Sequence, residues 1–432
     1  MNRRILRLAI PNVISNLSVP VLGAVDTALL GHLHNVAYIG AISVAGILFD
    51  FIFWGFGFLR MGTTGLTAQA YGEDNKTQSV ATLGRALMVA GLFSLLIIAA
   101  QVGIADLGFA LIGASADVEH YARIYFYIRI YSAPATLGLY AINGWFLGMQ
   151  NARYPMIITV AFNLLNIALD VWFVYGLHMN VPGVALGTLI SRYAGLFLAA
   201  ALGWFKYKSW LQAFVASLIA ELEPLKKFFT VNLDIFVRTL CLIFAFTFFT
   251  AKSASMGDTI LAANTILLQL WMVVSYGIDG FANAAESLVG RYTGSQQRRK
   301  LNQTIKYCFI WGVNIGVAAS IIYGLFDKTI LHIFTNQEPV IHKALLVFGW
   351  TIAGPTVSSF CYIWDGIFIG ATATEPMRNS MIIATVGVFL PAYFIGKPYL
   401  GIQAIWLALT LFMIARGLTL SLFAPKHIFK SS

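Results

Sequence analysis

Charge is what this chain has least of. Of its 432 residues only 11% are charged, 28 of them basic and 18 acidic, against roughly 25% in ordinary globular domains. So few charges cannot cover a water-facing surface, which argues against a soluble multidomain protein of this length. Cysteine is scarce as well. Cys241, Cys308 and Cys361 all fall inside apolar runs, and an odd number so placed makes neither a disulfide framework nor a metal spacing. There is no phosphate-binding glycine loop, no metal-ligand cluster and no nucleophile–base constellation. An enzyme is therefore disfavoured, and neither cofactor nor metal is expected.

What fills the chain is apolar, at 59% of residues. A spanning helix needs roughly 20 mainly apolar residues. Twelve such runs are read near 5–31, 38–69, 83–104, 121–150, 154–177, 182–204, 225–251, 260–290, 304–326, 341–370, 377–396 and 401–424. The expected class is an all-α integral membrane protein. The longest polar gap, Lys206 to Leu225, carries Trp210, Leu211, Phe214 and Leu218 at helical spacing and reads as an interfacial amphipathic helix. Met1-Asn2-Arg3-Arg4 resembles the start of a signal peptide. Asn12, Ser15, Asn16, Ser18 and Pro20 interrupt the run that follows, which favours a first spanning helix over a cleaved leader. Basic residues near the helix ends divide 17 to 5 between the two sides. Both termini are thus expected in the cytoplasm, with the chain in the cell (inner) membrane. The net charge of +10 follows from topology and needs no nucleic-acid partner.

The two halves match at one offset. Ile142-Asn-Gly-Trp-Phe-Leu-Gly148 lies over Trp364-Asp-Gly-Ile-Phe-Ile-Gly370, and Ala41, Leu48, Leu66 and Gly72 lie over Ala263, Leu270, Leu288 and Gly294, all 222 residues apart. Six helices per half insert both repeats the same way up. The architecture expected is two pseudo-symmetric six-helix bundles around a central cleft: an N-terminal lobe over 1–205, a linker helix over 206–224 and a C-terminal lobe over 225–432. The acids do not follow the repeat. Asp26 lies over Phe248 and Asp170 over Ala392, while Asp234, Asp279 and Asp365 lie over Asn12, Gly57 and Asn143.

An ionisable group inside the bilayer costs roughly 2.5–3.5 kcal/mol even on insertion scales, so these acids are where function is sought. Asn12, Asn16, Gly23 and Asp26 share one stripe of helix 1, and Asn163, Asn166 and Asp170 share one of helix 5. With Thr188 on helix 6, Asp26 and Asp170 lie at similar depth in the outer leaflet. Two carboxylates in one desolvated pocket cannot both ionise cheaply, which is the property of a proton-coupling site. The plainer reading is two buried acids satisfied by Asn and Thr. Carboxylate, amide and hydroxyl oxygens also suit sodium. On helix 7, Asp234 and Arg238 stand at i and i+4, the spacing of an intrahelical ion pair. Asp279 and Asp365 are candidates for the substrate cleft or a sodium site, Arg60 is expected to pair with one of them, and Glu286 reads as solvated. Pro11 and Pro20 are candidate hinges in helix 1. His32, in an external loop, reads as solvated, with proton delivery as the sharper alternative.

These residues carry a family resemblance over essentially the whole chain. Leu22-Gly-Ala-Val-Asp-Thr-Ala-Leu-Leu-Gly31, Phe58-Leu-Arg-Met-Gly-Thr-Thr-Gly65, Ala68-Gln-Ala-Tyr-Gly72, Asp279-Gly-Phe-Ala-Asn-Ala-Ala-Glu286 with Gly290-Arg291, and Trp364-Asp-Gly-Ile-Phe-Ile-Gly-Ala-Thr372 together resemble the multidrug and toxic compound extrusion (MATE) transporters, in particular their DinF branch. The resemblance implies two six-helix lobes forming a V-shaped cleft. It implies export of small cationic or amphipathic compounds in exchange for protons or sodium. It also implies coupling acids on helices 1 and 5 with an Asn and a Thr beside them, the pattern that Asp26, Asn166, Asp170 and Thr188 match. The NorM branch instead uses a Glu on helix 7 and an Asp on helix 10. Asp365 matches the second, but Phe244 to Ala251 holds no acid. The function expected is proton-coupled antiport by a monomer in contact with membrane lipid. The alternatives are a sodium-coupled exporter of the same fold or a flippase of lipid-linked substrates.

Overall fold

The computed structural model describes residues 1–31 and 36–429, and the side chains at 21, 24, 26–31 and 36 fall outside that description. Every regular element among the described residues is helical. In lipid the backbone must satisfy its own hydrogen bonds, and a helix does so within one segment. The α-helices are α1 (Asn2–Gly31), α2 (Val36–Gly55), α3 (Phe58–Gly72), α4 (Lys76–Ala99), α5 (Gln101–Ile112), α6 (Ala116–Arg129), α7 (Ala133–Gly148), α8 (Arg153–Val171) and α9 (Asn180–Leu211). They continue as α10 (Leu222–Ala254), α11 (Asp258–Gly294), α12 (Arg298–Leu325), α13 (Asp327–Phe334), α14 (Glu338–Gly370), α15 (Thr374–Ile382), α16 (Leu390–Leu400) and α17 (Gln403–Ala424). Several join through single 3-10 or π turns into longer rods. Among the described residues ten such rods are long and apolar enough to cross a membrane. α1 and the α6–α7 rod, Ala116–Gly148, bring the spans to twelve. Large apolar side chains point outward along them, as with Phe205, Leu111 and Leu222, a surface that suits lipid.

The chain divides into two compact units. An N-terminal unit is Ile14–Phe229, and a C-terminal unit is Thr230–Ser432 together with Met1–Val13. α1 is therefore shared. Its first turns pack in the C-terminal unit, where Gly280 of α11 leaves room for the Ala9 carbonyl and the Val13 side chain and Arg4 Nη1 donates to the Tyr292 hydroxyl at 2.8 Å. α1 stays helical through both prolines. Pro11 is buried two residues before the division, and Pro20 is exposed beyond it.

The repeat has a packing cause. In the N-terminal unit α7 lies on α3, and in the C-terminal unit α14 lies on α11. At Gly144 a Cβ would collide with the Arg60 carbonyl, and at Gly148 with Thr67 and the Thr64 carbonyl. At Gly366 it would collide with the Ala282 carbonyl, and at Gly370 with the Glu286 carbonyl. Glycines four apart let two membrane helices approach backbone to backbone. The partners Arg60 and Ala282, like Thr64 and Glu286, are also 222 positions apart. Each unit has its own aromatic core, built around Trp145, Phe146 and Tyr207 in one and Trp271, Trp406 and Phe412 in the other.

The stretch expected as one linker helix over 206–224 is divided instead. α9 runs on to Leu211 after a non-helical residue at Tyr207, a single 3-10 turn covers Ala216–Ile219, and α10 begins at Leu222. The cause is a specific seat on α4. The Gly84 position has room only for the Ile219 side chain. Arg85 beside it is 1% exposed, and its guanidinium donates to the carbonyls of Leu218 and Ile219. A cavity of about 370 Å³ opens next to this seat, lined by Gln69, Glu73, Gln78, Arg85, Glu223 and Lys227 among others.

Candidate functional site

In the N-terminal unit α8 buries Asn163, Asn166 and Asp170, three positions that the helical period sets on one face. Asp170 has no exposed surface, and Asn166 Nδ2 donates to its Oδ2 at 3.0 Å. The other oxygen, Oδ1, occupies the space that a side chain at position 187 would need, so Gly187 of α9 admits the carboxylate. Thr188 follows on the same turn and is buried, with its hydroxyl donating to the Val184 carbonyl at 3.0 Å. One turn further in, Asn163 Nδ2 donates to the Ser18 hydroxyl of α1 at 3.1 Å, tying α8 to α1. The structure thus joins Asn166 to Asp170 and sets Thr188 beside Gly187. The Asp26 side chain lies outside the described residues, as does His32.

In the C-terminal unit the ion pairs differ from the expected ones. Asp234 and Arg238 do not form a pair along α10. Asp234 Oδ1 accepts from Arg378 at 2.7 Å and its Oδ2 from the Thr374 hydroxyl at 2.8 Å. Thr374 is the first residue of α15, so the carboxylate sits at a helix N-terminus, where negative charge is favoured. Arg238 turns instead to Asp365 Oδ2 at 2.5 Å, and Arg416 of α17 reaches the same oxygen at 2.5 Å. A buried Asp365 without these donors would be a desolvated charge, whereas Asp234 finds other partners. Arg416 was absent from the sequence reading, although a lone arginine within the last apolar run was the available signal. Glu286, expected in water, is 2% exposed because Gly370 brings α14 against it. Asp279 is half-buried, and its charge acts on Cys361 and Tyr362.

A further polar group was not singled out from the sequence. Asp50 on α2, Arg129 on α6 and Arg192 on α9 lie within apolar runs, and together with Arg60 on α3 they act electrostatically on the Tyr140 hydroxyl of α7. Arg129 lies over the Phe49 ring at 4.5 Å and donates to the Tyr125 hydroxyl at 3.0 Å. Arg192 lies over Phe162 at 4.4 Å. Among the described residues no group of three His, Cys, Asp or Glu side chains could hold a metal ion.

The MatE family model matches the chain twice, over residues 11–172 and 235–394. The two matches start 224 residues apart and end 222 apart, in step with the internal repeat. The chain is 38% identical over 422 residues to the DNA damage-inducible protein F of Escherichia coli (strain K12), covering 97% of this chain and 91% of that protein. It is 24% identical to the probable multidrug resistance protein NorM of Thermotoga maritima, over 96% of this chain and 90% of that one. Among solved structures, an outward-facing multidrug resistance MATE family transporter superposes with a TM-score of 0.88 at 20% identity, covering 99% of this chain and 96% of the other. A MATE transporter in the bent conformation gives 0.89 at 21%, covering 100% and 96%. At those identities the structures speak for the fold, and the family model and the E. coli relative carry the assignment: this chain belongs to the MatE family of multidrug and toxic compound extrusion transporters, and it is a multi-pass membrane transporter rather than an enzyme.

Proposed function

We propose that the protein exports small organic amphipathic compounds in exchange for protons, with Asp170 and Asp26 as the coupling acids and Asn166 and Thr188 as their polar neighbours. The observation that carries this reading is the setting of Asp170. It is fully buried and accepts from a neutral amide, in a niche that Gly187 keeps open. A carboxylate in such a niche changes its energy greatly when it gains or loses a proton, because the charged form is the one that burial disfavours. Asp365 is the contrasting case, since two guanidinium groups donate to one of its oxygens. Asn166 turns its NH2 toward Asp170, the orientation that suits an amide beside a carboxylate oxygen.

In this reading a proton from the outside neutralises the pair, and α1, which carries Asp26 and bends at Pro11 and Pro20, repacks and expels the substrate. The protein acts as a monomer in the inner membrane with both termini in the cytoplasm. The test is dye flux in reconstituted vesicles under an imposed pH gradient or an imposed sodium gradient, for wild type and Asp170→Asn. Flux driven by pH alone and lost in Asp170→Asn is the expected result. Flux driven by sodium at equal pH, or undiminished pH-driven flux in the variant, overturns the proposal.

A further inference from the structure

Four charges act on the Tyr140 hydroxyl, three guanidinium groups and one carboxylate. They come from four different elements of the N-terminal unit, and Arg192 stands one turn after Thr188 on α9. Asp50, Arg60, Arg129 and Arg192 are each at least eight residues from either end of their spans, roughly 12 Å into the membrane. At that depth a charged side chain faces the bundle interior or water rather than lipid.

Arg129 is the best defined of the three cations. Its guanidinium is stacked on Phe49 and held at one edge by the Tyr125 hydroxyl, which fixes its plane. Its Nε is buried without a hydrogen-bond partner. Asp50 is close enough to act electrostatically with it, but among the described residues no carboxylate lies within ion-pair distance of Arg129. This differs from the C-terminal unit, where Arg238 and Arg416 each donate one N–H to the Asp365 carboxylate, although their Nε atoms also lack partners. A rigid, planar donor set with unused N–H capacity matches the geometry of carboxylate, sulfonate or phosphate oxygens. Next to it, Ile47, Phe51 and Trp54 share the exposed face of α2 with Asp50. Because Asp50 disfavours lipid, that face is directed to the interior, and it supplies an apolar wall beside the cationic group.

We infer that this cluster is a substrate subsite for the anionic group of an amphipathic organic acid, with Arg129 as the principal donor and α2 receiving the apolar body. The inference rests on the exporter reading above and narrows its substrate class, but it does not depend on which cation drives transport. Asp50 opposes the bound anion, which keeps binding weak enough for release.

The test is equilibrium binding to the purified full-length protein in neutral detergent, without any ion gradient, so the coupling proposal can fail while this one stands, and the reverse. Fluorescein and rhodamine 123 share a ring system and differ in charge, and fluorescence polarisation reads both. Fluorescein is expected to bind more tightly than rhodamine 123. Arg129→Gln should weaken fluorescein at least tenfold and leave rhodamine 123 unchanged, with Arg129→Lys recovering part of the loss. Asp50→Asn should tighten fluorescein several-fold, and it decides the matter alone if the arginine variants fail to fold. Tighter binding of rhodamine 123 by wild type, equal loss of both dyes in Arg129→Gln, or no gain in Asp50→Asn would overturn the assignment.

Discussion

Arg238 and Asp365 meet at 2.5 Å inside the C-terminal unit, and Arg416 reaches the same carboxylate oxygen at the same distance. The three residues are 7%, 4% and 1% exposed, so the contacts are made largely out of water. Together they tie α10, α14 and α17. Both guanidinium groups donate to the same oxygen, Oδ2. Asp365 thus ties three helices of the C-terminal unit, and in the proposal above cation coupling belongs to the N-terminal unit.

The first prediction concerns that triad. Asp365→Asn removes the one negative charge between two buried guanidinium groups. Breaking a buried ion pair by deleting one partner costs roughly 3–5 kcal/mol. A fall in thermal midpoint of that order is expected in mild detergent, larger than for Asp279→Asn at its half-buried site. Molecules that remain folded should respond to the same ion gradient as wild type. A variant with a wild-type midpoint but altered ion dependence would make Asp365 a coupling residue instead.

The second prediction tests the Asp170 niche without touching an acid. In Gly187→Ala the new methyl takes the space of Asp170 Oδ1 and crowds Asn166 Nδ2. The carboxylate must turn, and its hydrogen bond from Asn166 is lost. PH-driven flux should fall at least tenfold while the thermal midpoint drops by no more than the loss of one hydrogen bond, about 0.5–1.5 kcal/mol. Wild-type flux in Gly187→Ala would show that the Asn166–Asp170 geometry is not needed for coupling.

The third prediction concerns the seat of the linker. Arg85 is the buried donor to the carbonyls of Leu218 and Ile219, and hydrogen bonds from charged groups contribute roughly 1.5–3 kcal/mol each. Arg85→Gln should release the segment between α9 and α10, and a Glu-specific protease should then cut after Glu221 several times faster in detergent. Unchanged cleavage would mean that packing of Ile219 at Gly84 suffices to hold it. A Gly84→Leu variant separates the two, because it fills the seat and leaves Arg85 in place.

Much of this was legible in the residues, and the reasons are physical. Long apolar runs locate the spans because lipid forces each run to satisfy its own backbone. The Gly144–Gly148 and Gly366–Gly370 pairs disclosed the repeat because close helix approach tolerates nothing larger at those positions. Asn166 and Asp170 were joined by helical period alone. Pairing between distant elements was not legible. The i,i+4 spacing of Asp234 and Arg238 is a local rule, and it lost to the long-range partners Arg378 and Asp365, whose proximity only the fold creates. Asp50, Arg129 and Arg192 were overlooked because each is a single charge in a long apolar run, and only their convergence on Tyr140 marks them as a group. The linker failed for a related reason. Its apolar residues have helical spacing, yet the Gly84 notch and Arg85 capture them in another conformation.

The last prediction returns to the repeat. If the glycine contacts are its cause, equivalent substitutions in the two units must behave alike and differ from other glycines. Gly144 faces the Arg60 carbonyl and Gly366 faces the Ala282 carbonyl, while Gly91 in the middle of α4 has nothing within 4 Å of where a Cβ would stand. Alanine at Gly144 or Gly366 drives one backbone off another, and backbone cannot rotate away as a side-chain tip can. Overpacking of this kind costs typically about 1–3 kcal/mol. Alanine at Gly91 meets no such contact and gains helix propensity, worth about 1 kcal/mol in an open helix. Thermal unfolding of the three single variants in the same detergent makes the comparison. Gly144→Ala and Gly366→Ala should both lower the midpoint, and Gly91→Ala should hold or raise it. A wild-type midpoint in either of the first two would show that its helix pair can separate without loss, and the packing explanation of the repeated motif would fail for that unit.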